Sequence, residues 1–544
     1  MKKIFTLLSL FIAGNALAQN QYLVTFKDKG PEAAYLRQHP AQILSEKALA
    51  RRAKSQVKLT AEDLPVSHQY LSQLKQNGIK IQQKSKWLNM ALIETDWSET
   101  ALQRKFPAIR SVKKVAAPVK GEKNKFPEVK PANNQNSRLS YGAAADQIDQ
   151  LNLDCLHDKG CQGKGVLVAI FDSGFPGVNT GTVYDSLRLQ NRILATRNFV
   201  NRANTVYGTH DHGTAVFSII AANSPGDYVG GAAQATFALA LTENTASETH
   251  QEELNWAAAA EWADSLGVDI IQTSLGYKNF DPGQGDYTNA MIDGDTPIIT
   301  KAADKAAQKG MLVIIAAGND GNNPVTGTIT SRVNPPCDGD SVLCVGSVTN
   351  QNQYSSFSSV GPTAKNRIKP DVVARGSATA FVNPADMVSY TNGTSLAAPL
   401  ITALAACVMQ ANPNASNMQV YQAIIQSADK YVNPDNFYGY GLPDACKADS
   451  LLRTIAGFSE NVARTPFKVY PTVFQDQITI EAPVTMEVLE ISLYSVTGQK
   501  VQIRQTQHAG KQVLRVESSL PAGLYLLQLN QKNSHRFQYK VVKQ

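Results

Sequence analysis

The chain has 544 residues, of which 43% are hydrophobic and 18% charged, and a formal net charge of +7. That length is too great for one ordinary core, so two to four domains are expected, and the composition is that of a soluble globular protein. The positive balance does not argue for nucleic acid because it is unevenly placed. Residues 19–120 carry 18 Lys/Arg against 8 Asp/Glu, residues 121–460 carry 22 against 32, and residues 461–544 carry 10 against 5. A basic N-terminal segment therefore faces an acidic middle, as two surfaces that bind each other would, or two unrelated solvated ones.

In chain order, residues 1–18 combine Lys2 and Lys3, a short apolar run and Ala16-Leu17-Ala18, the pattern of a secretory signal peptide cut after Ala18. The apolar run is too short to span a membrane, and no later stretch reads as a transmembrane helix, so an exported protein is expected. Residues 19–120 read as a small α+β unit. "QYLVTF" alternates like a strand, "AQILSEKALARRAK" and "PVSHQYLSQLKQNG" have helical spacing, and "IKIQQKSKWLNMALIET" returns as strands. Residues 121–140 are rich in Pro, Lys and Asn and read as an exposed linker open to cleavage.

Over 141–456 apolar strands such as "GVLVAIFDSG", "VDIIQTSLG" and "MLVIIAAGN" alternate with helices. Runs apolar on both faces between helices indicate an α/β fold with a parallel sheet covered on both sides, whose reactive groups gather at strand ends. Over 461–544 the helices stop and short alternating strands follow, with turns at Thr497-Gly498-Gln499 and Pro521-Ala522-Gly523, as in a β-sandwich. Six cysteines in an exported chain favour disulfides. Neighbours pair most simply as Cys155–Cys161, Cys337–Cys344 and Cys407–Cys446, although six cysteines allow fifteen connectivities. Zinc is disfavoured, since no Cys-x2-Cys pair exists and His157 is the only histidine near any cysteine.

Three motifs of the middle domain converge on one chemistry. "IFDSG" puts Asp172 at the end of a buried strand, "THDHGTAV" puts His212 at the opening of a helix, and "NGTSLAAP" puts Ser395 at another helix start. A serine hydroxyl needs a base within reach, and that base needs a partner to fix its tautomer. Alone, Ser395 reads as a helix cap, Asp172 as a turn cap and His212 as a structural histidine or, with His210, a metal pair, but the three together point to a nucleophile with its base. Gly393, Ala397 and Ala398 leave room for a substrate backbone, and Pro399 is expected in the first helical turn, where no N–H is lost. "IIAAGNDG" ends a strand at Asn319, whose amide suits an oxyanion, helped by the Ser395 N–H.

Asp172-Ser173-Gly174, His212-Gly213-Thr214, Ala317-Gly318-Asn319 and Gly393-Thr394-Ser395 with Ala397 and Pro399 resemble the four signature blocks of the subtilisin-like serine proteases, in the same Asp, His, Ser order. The resemblance implies that Asp172 orients, His212 is the general base and then acid, Ser395 attacks, and Asn319 forms the oxyanion hole. It further implies that Ser274, Leu275 and Gly276 form an edge that pairs with extended polypeptide substrate, and that Ala316, Ala317 and Gly318 form the wall opposite. No cofactor is implied for the chemistry. A structural calcium ion is compatible with the family, but its ligands are unassigned.

The flanks fit the same resemblance. Residues 20–118 resemble the inhibitory propeptide of these proteases, so the chain is expected to be a zymogen inhibited by its own propeptide. The tail, with "VYPTV", "LYSVTGQKV" and "LPAGLYLLQL", resembles the sorting domain of type IX secretion substrates. That implies passage through the periplasm and outer membrane to a secreted or cell-surface location, with the type IX machinery as partner; a surface-binding module is the alternative. An adhesin on a dead protease fold is the rival of another class, and the intact Asp172, His212, Ser395 and Asn319 argue against it. Glu243, Glu248, Glu252 and Glu253 lie close in sequence and read as a solvated helix start, with a cation site or a basic-residue subsite as the alternatives.

Overall fold

The computed structural model describes residues 20–115, 141–201, 205–208, 210–321, 332–462, 467–481, 490–495, 500–508, 511–516, 520–521, 523–530 and 536–543. The leader at 1–18, the linker at 121–140, the turn Thr497-Gly498-Gln499 and the Ala522 of the second turn lie outside these residues. The chain divides into two units, Met1–Asp449 and Ser450–Gln544.

In the first unit, the N-terminal segment forms a four-stranded sheet. It contains β1 (Asn20–Phe26), β2 (Lys80–Ser85), β3 (Met90–Thr95) and β4 (Ile109–Val115), in the order β2-β3-β1-β4 with every pair antiparallel. Helices α1 (Glu46–Lys54), α2 (His68–Gln76) and α3 (Glu99–Lys105) begin after Ser45, Ser67 and Ser98, whose hydroxyls accept the N–H of Ala48, Tyr70 and Ala101. Each cap satisfies a donor that the first helical turn leaves without a partner. Leu71, Leu74 and Leu102 from α2 and α3 pack on Tyr22, Val24 and Ile93 of the sheet.

The middle of the chain forms a seven-stranded parallel sheet of β5 (Leu167–Asp172), β6 (Ile193–Asn198), β7 (Thr236–Leu241), β8 (Ile270–Thr273), β9 (Leu312–Ala316), β10 (Leu343–Val348) and β11 (Val372–Arg375). The order is β11-β10-β9-β8-β5-β7-β6. Every residue of β5, β8, β9 and β10 is buried, which is why these strands read as unbroken apolar runs. The helices that matter for the site are α4 (His212–Ala221), α5 (His250–Leu266), α6 (Ile298–Gln308) and α7 (Thr394–Ala411). Leu167, Ala169, Phe171, Val313 and Ile315 share a core with α5 and α6 on one face, and α7 packs across β8 to β11. By length and a mean hydropathy of 1.6, α7 is apolar enough to cross a membrane, but 89% of that window is buried inside the domain, where it serves as a core helix.

The N-terminal sheet lies on α5. Glu261 accepts from Ser85 Oγ at 2.5 Å and from the backbone N–H groups of Lys86 and Trp87 at 2.8 and 2.9 Å. Burial pushes the Glu261 carboxyl above its ordinary range, and these donors oppose that shift. Trp87 inserts into the core of the middle domain.

Two of the three expected disulfide pairings are corrected. Cys337 pairs with Cys344 as expected, but Cys155 pairs with Cys446, and Cys161 and Cys407 are in no disulfide. Cys155, in the short helix Asp154–His157, has its Cα 6.1 Å from that of Cys446 at the start of the helix Ala445–Val462. Cys407 is buried in α7 and its thiol donates to Gly231 O at 3.3 Å, so it cannot also face Cys446. Side-chain direction in the packed helices, not nearness in sequence, sets the pairing. His157 uses both ring nitrogens in the protein, donating from Nε2 to Gly231 O at 2.8 Å and bonding Tyr141 Oη through Nδ1 at 2.7 Å.

The second unit contains two sheets. One runs in the order Lys468–Tyr470, Gln477–Glu481, Lys511–Val516, Ile503–His508. The other runs in the order Val473–Phe474, Arg536–Lys543, Gly523–Asn530, Glu490–Ser495, Lys500–Val501. Ile478, Ile480 and Leu514 of the first share one core with Leu493, Leu527 and Val541 of the second, as in a sandwich.

Asp304 of α6 supplies a test of this packing. It is half-buried, and desolvation pushes its carboxyl up to about 7 despite a bond from the Ser341 N–H at 3.0 Å. The folded state therefore binds this proton more tightly than the unfolded chain, so ionisation works against the fold progressively from about pH 4 to 7 and fully above. Asp304→Asn, made with Ser395→Ala to prevent self-digestion, is expected to stabilise the fold by about 1–2 kcal/mol at pH 8 and by nothing measurable at pH 4. Thermal melts at the two pH values check this.

Candidate active site

Asp172, His212 and Ser395, the first and last of which are 223 residues apart in sequence, are all buried and sit at the ends of three elements. Asp172 closes β5. Its Oδ1 accepts from His212 Nδ1 at 2.7 Å, from the Ser173 N–H at 2.7 Å and from Ser173 Oγ at 3.1 Å. The carboxylate can only accept here, so His212 carries its proton on Nδ1 and directs Nε2 away from Asp172. The approach of α4 to β5 depends on Gly213. A Cβ there would lie 2.3 Å from Gly174 O and 2.9 Å from Asp172 Cβ.

Ser395 is the second residue of α7. Pro399 is the sixth and so lies inside the helix, not in its first turn as the motif suggested. A proline there removes the N–H that would bond the carbonyl four residues earlier, which belongs to Ser395. Ser274 Oγ, just past the end of β8, donates to that carbonyl at 2.9 Å and restores the lost bond. Ser274 in turn accepts from Gln272 Nε2 at 2.7 Å. Its side chain is thus a brace under the reactive turn, a role that the motif alone did not reveal.

Asn319, exposed past the end of β9, is tied to the same turn. Its Oδ1 accepts from the Thr394 N–H at 2.9 Å and from Thr394 Oγ1 at 3.0 Å. Because a backbone N–H can only donate, the amide orientation is fixed and Nδ2 is turned away from Thr394. A Cβ built on Gly393 would meet Ser395 Oγ at 2.8 Å and Asn319 Nδ2 at 3.6 Å, so both groups border the same small space. Thr394 Oγ1 also accepts the Gly318 N–H at 3.1 Å. Sequence reasoning missed Thr394 as a positioning group; the only signal was its place between Gly393 and Ser395.

The two expected walls differ from one another. Leu275 and Gly276 are on the surface beyond β8, with Gly276 exposed. Ala316 and Ala317 are buried, and Ala317 spends its N–H on Val345 O and its carbonyl on the Asn334 N–H, both at 2.9 Å. Only Gly318 of that wall reaches the surface, at φ +105 in the left-handed region that suits glycine. The acidic stretch departs from its reading as a solvated helix start, because Glu243, Glu252 and Glu253 are buried. Glu252 completes a capping box with Thr249, Tyr277 Oη donates to Glu243 at 2.5 Å, and Tyr287 Oη and the Ile299 N–H donate to Glu253, each at 3.1 Å. Glu243, Glu248 and Glu252 bring ligand oxygens within 4.8 Å of one another, a spacing open to a cation.

Residues 163–441 match the model of the Subtilase family, residues 21–132 that of the peptidase S8 propeptide domain of Bacteroidota, and residues 468–544 that of a secretion system C-terminal sorting domain. Subtilisin of Bacillus pumilus is 31% identical over 298 residues, covering 54% of this chain and 94% of its own. Subtilisin NAT of Bacillus subtilis subsp. natto is 28% identical over 372 residues, covering 68% and 83%. The epidermin leader peptide processing serine protease EpiP of Staphylococcus aureus shares the fold, with a TM-score of 0.53 at 16% identity over 82% of this chain and 99% of that one. A propeptide domain, a subtilisin-like parallel sheet flanked by helices and a strand-rich sorting tail that implies export thus follow one another along this chain, which belongs to the subtilase family of serine-type endopeptidases.

Proposed function

We propose that the protein is an exported endopeptidase that cleaves polypeptides through Asp172, His212 and Ser395, and that it is made as a zymogen. Ser395 Oγ attacks the scissile carbonyl carbon while its proton passes to His212 Nε2. Asp172 holds the ring by its Nδ1–H and stabilises the imidazolium that forms. The tetrahedral oxyanion receives hydrogen bonds from Asn319 Nδ2 and the Ser395 N–H, which in the first turn of α7 has no intrahelical acceptor. Collapse expels the amine with the proton from Nε2, and water then releases the acyl group by the same route in reverse. The chemistry uses only groups of the chain itself. Extended substrate lies along Ser274-Leu275-Gly276, chiefly through Leu275 and Gly276, with Gly318 facing it.

The observation that carries this reading is the 2.7 Å contact of His212 Nδ1 with a buried carboxylate, which supports the other ring nitrogen as the base. The segment 20–115, seated on α5, acts as the intramolecular inhibitor, and the tail delivers the protein through the periplasm and the type IX machinery across the outer membrane.

Ser395→Ala is expected to abolish casein cleavage and labelling by a sulfonyl fluoride, and to accumulate uncut proform. Persistent cleavage that a chelator blocks would sink the reading. Asn319→Leu is expected to lower kcat by about 100- to 1000-fold with little change in KM, a range set by work on subtilisin itself. Thr394→Val, which keeps the N–H to Asn319 but loses the hydroxyl, is expected to lower kcat about tenfold, an effect of one hydrogen bond. Steady-state kinetics on a short peptide substrate check both, and an effect confined to KM would remove Thr394 from the positioning role.

A further inference from the structure

The segment 20–115 grips the protease domain at a second place, far from Ser395. Helix α1 lies at the N-terminal ends of β5, β8 and β9, whereas the catalytic groups lie at the C-terminal ends of the same strands. Six residues of β5 separate the two ends, a distance of about 15–20 Å. Lys47 Nζ reaches Gly165 O at 3.1 Å and Asp269 at 2.8 Å. The Ser45 N–H donates to Ser265 O at 3.0 Å.

Arg51 and Arg52 form the centre of this contact, with side chains 1% and 3% exposed. Arg51 donates to Val268 O at 2.6 Å, to Lys309 O at 3.3 Å and to Asp264. Arg52 donates to Asp264 Oδ2 at 2.7 Å and to Asp63 Oδ1 at 2.8 Å, and Asp63 also pairs with Lys309 at 3.0 Å. Asp264 has no exposed side-chain surface at all. Helices α5 and α6 both end here, so their carbonyl ends add partial negative charge to that of Asp264. Gly267, at φ +85 after α5, makes the close approach possible. A Cβ on it would lie 2.7 Å from Ala48 N and Lys47 Cβ.

We propose that Asp264, Val268 O and Lys309 O form an exosite for two adjacent arginines on a helix. Arg51 and Arg52 fill it in the zymogen, and it keeps the cut propeptide on the enzyme independently of anything bound at Ser395. The inference rests on the reading of 20–115 as a removable inhibitor. Cleavage in the linker frees the end of that segment but touches none of these bonds. The planar guanidinium forks match a carboxylate and two carbonyls in a way that ammonium groups do not. Because the pairs are buried, salt screens them little. Release is therefore slow while these bonds hold, and the enzyme without its propeptide presents an open acidic socket on the side away from its catalytic groups.

The test uses the full chain. After the linker is cut, retained propeptide is followed by its co-elution with the enzyme on size exclusion, and the lag before peptide hydrolysis is timed. In Arg51→Met/Arg52→Met the cut propeptide is expected to leave at least tenfold faster and the lag to shorten in step. The matured enzyme, which lacks both positions, should have the wild-type kcat/KM. If that variant does not fold, Arg51→Lys/Arg52→Lys carries the test, since it keeps the charge and loses the fork, and at least threefold faster loss is expected. A folded variant of either kind that retains the cut propeptide as long as wild type overturns the exosite. A retained propeptide that leaves hydrolysis unchecked instead overturns the inhibitor reading and leaves the exosite standing.

Discussion

The first turn of α7 is the constraint on which the rest of the site depends. That helix carries Ser395 at its second position and holds Pro399 inside it. Its free N–H groups and its orphaned carbonyl must find partners outside the helix, because buried backbone groups left without them are costly. The ends of two neighbouring strands supply them. Asn319 after β9 takes the Thr394 N–H, and Ser274 after β8 donates to the Ser395 carbonyl. Satisfying the helix start and aiming Asn319 Nδ2 are thus a single structural event, and the parallel sheet provides it by ending β8 and β9 side by side.

The charge asymmetry along the chain has a concrete meaning in the structure. The basic N-terminal segment and the acidic middle meet where Lys47, Arg51 and Arg52 face Asp264 and Asp269. Buried ion pairs of this sort add little net stability, since each ion gives up its hydration, but removal of one partner strands the other at a cost of about 3–5 kcal/mol. Such an interface resists partial loosening, which suits a propeptide that leaves completely or not at all. At the other end of the same parallel strands, the buried Asp172 carboxylate is instead held by a single histidine, His212, and by Ser173.

Much of the candidate site was legible in the sequence because the groups proposed to react sit in short motifs whose small neighbours are themselves required. Gly213 is needed where α4 meets Asp172, and Gly393 where Ser395 and Asn319 share a space, so the constraint is written beside each residue it serves. The braces were not legible in the same way. Ser274 and Thr394 act on groups more than seventy residues away, through hydrogen bonds that no local pattern encodes. The buried acidic stretch was misread for the same reason, since Tyr277 and Tyr287 cover it from another part of the chain.

The amino-acid order by itself determined the alternation of strands and helices and pointed to the groups proposed to react, because periodicity, glycine placement and helix-start chemistry are local properties. Only the tertiary structure decided which cysteines meet, that Pro399 lies inside its helix, and that two arginines of the N-terminal segment end buried against Asp264. Those outcomes depend on the directions in which side chains point from packed elements, and directions arise only once the sheet has brought distant strands together.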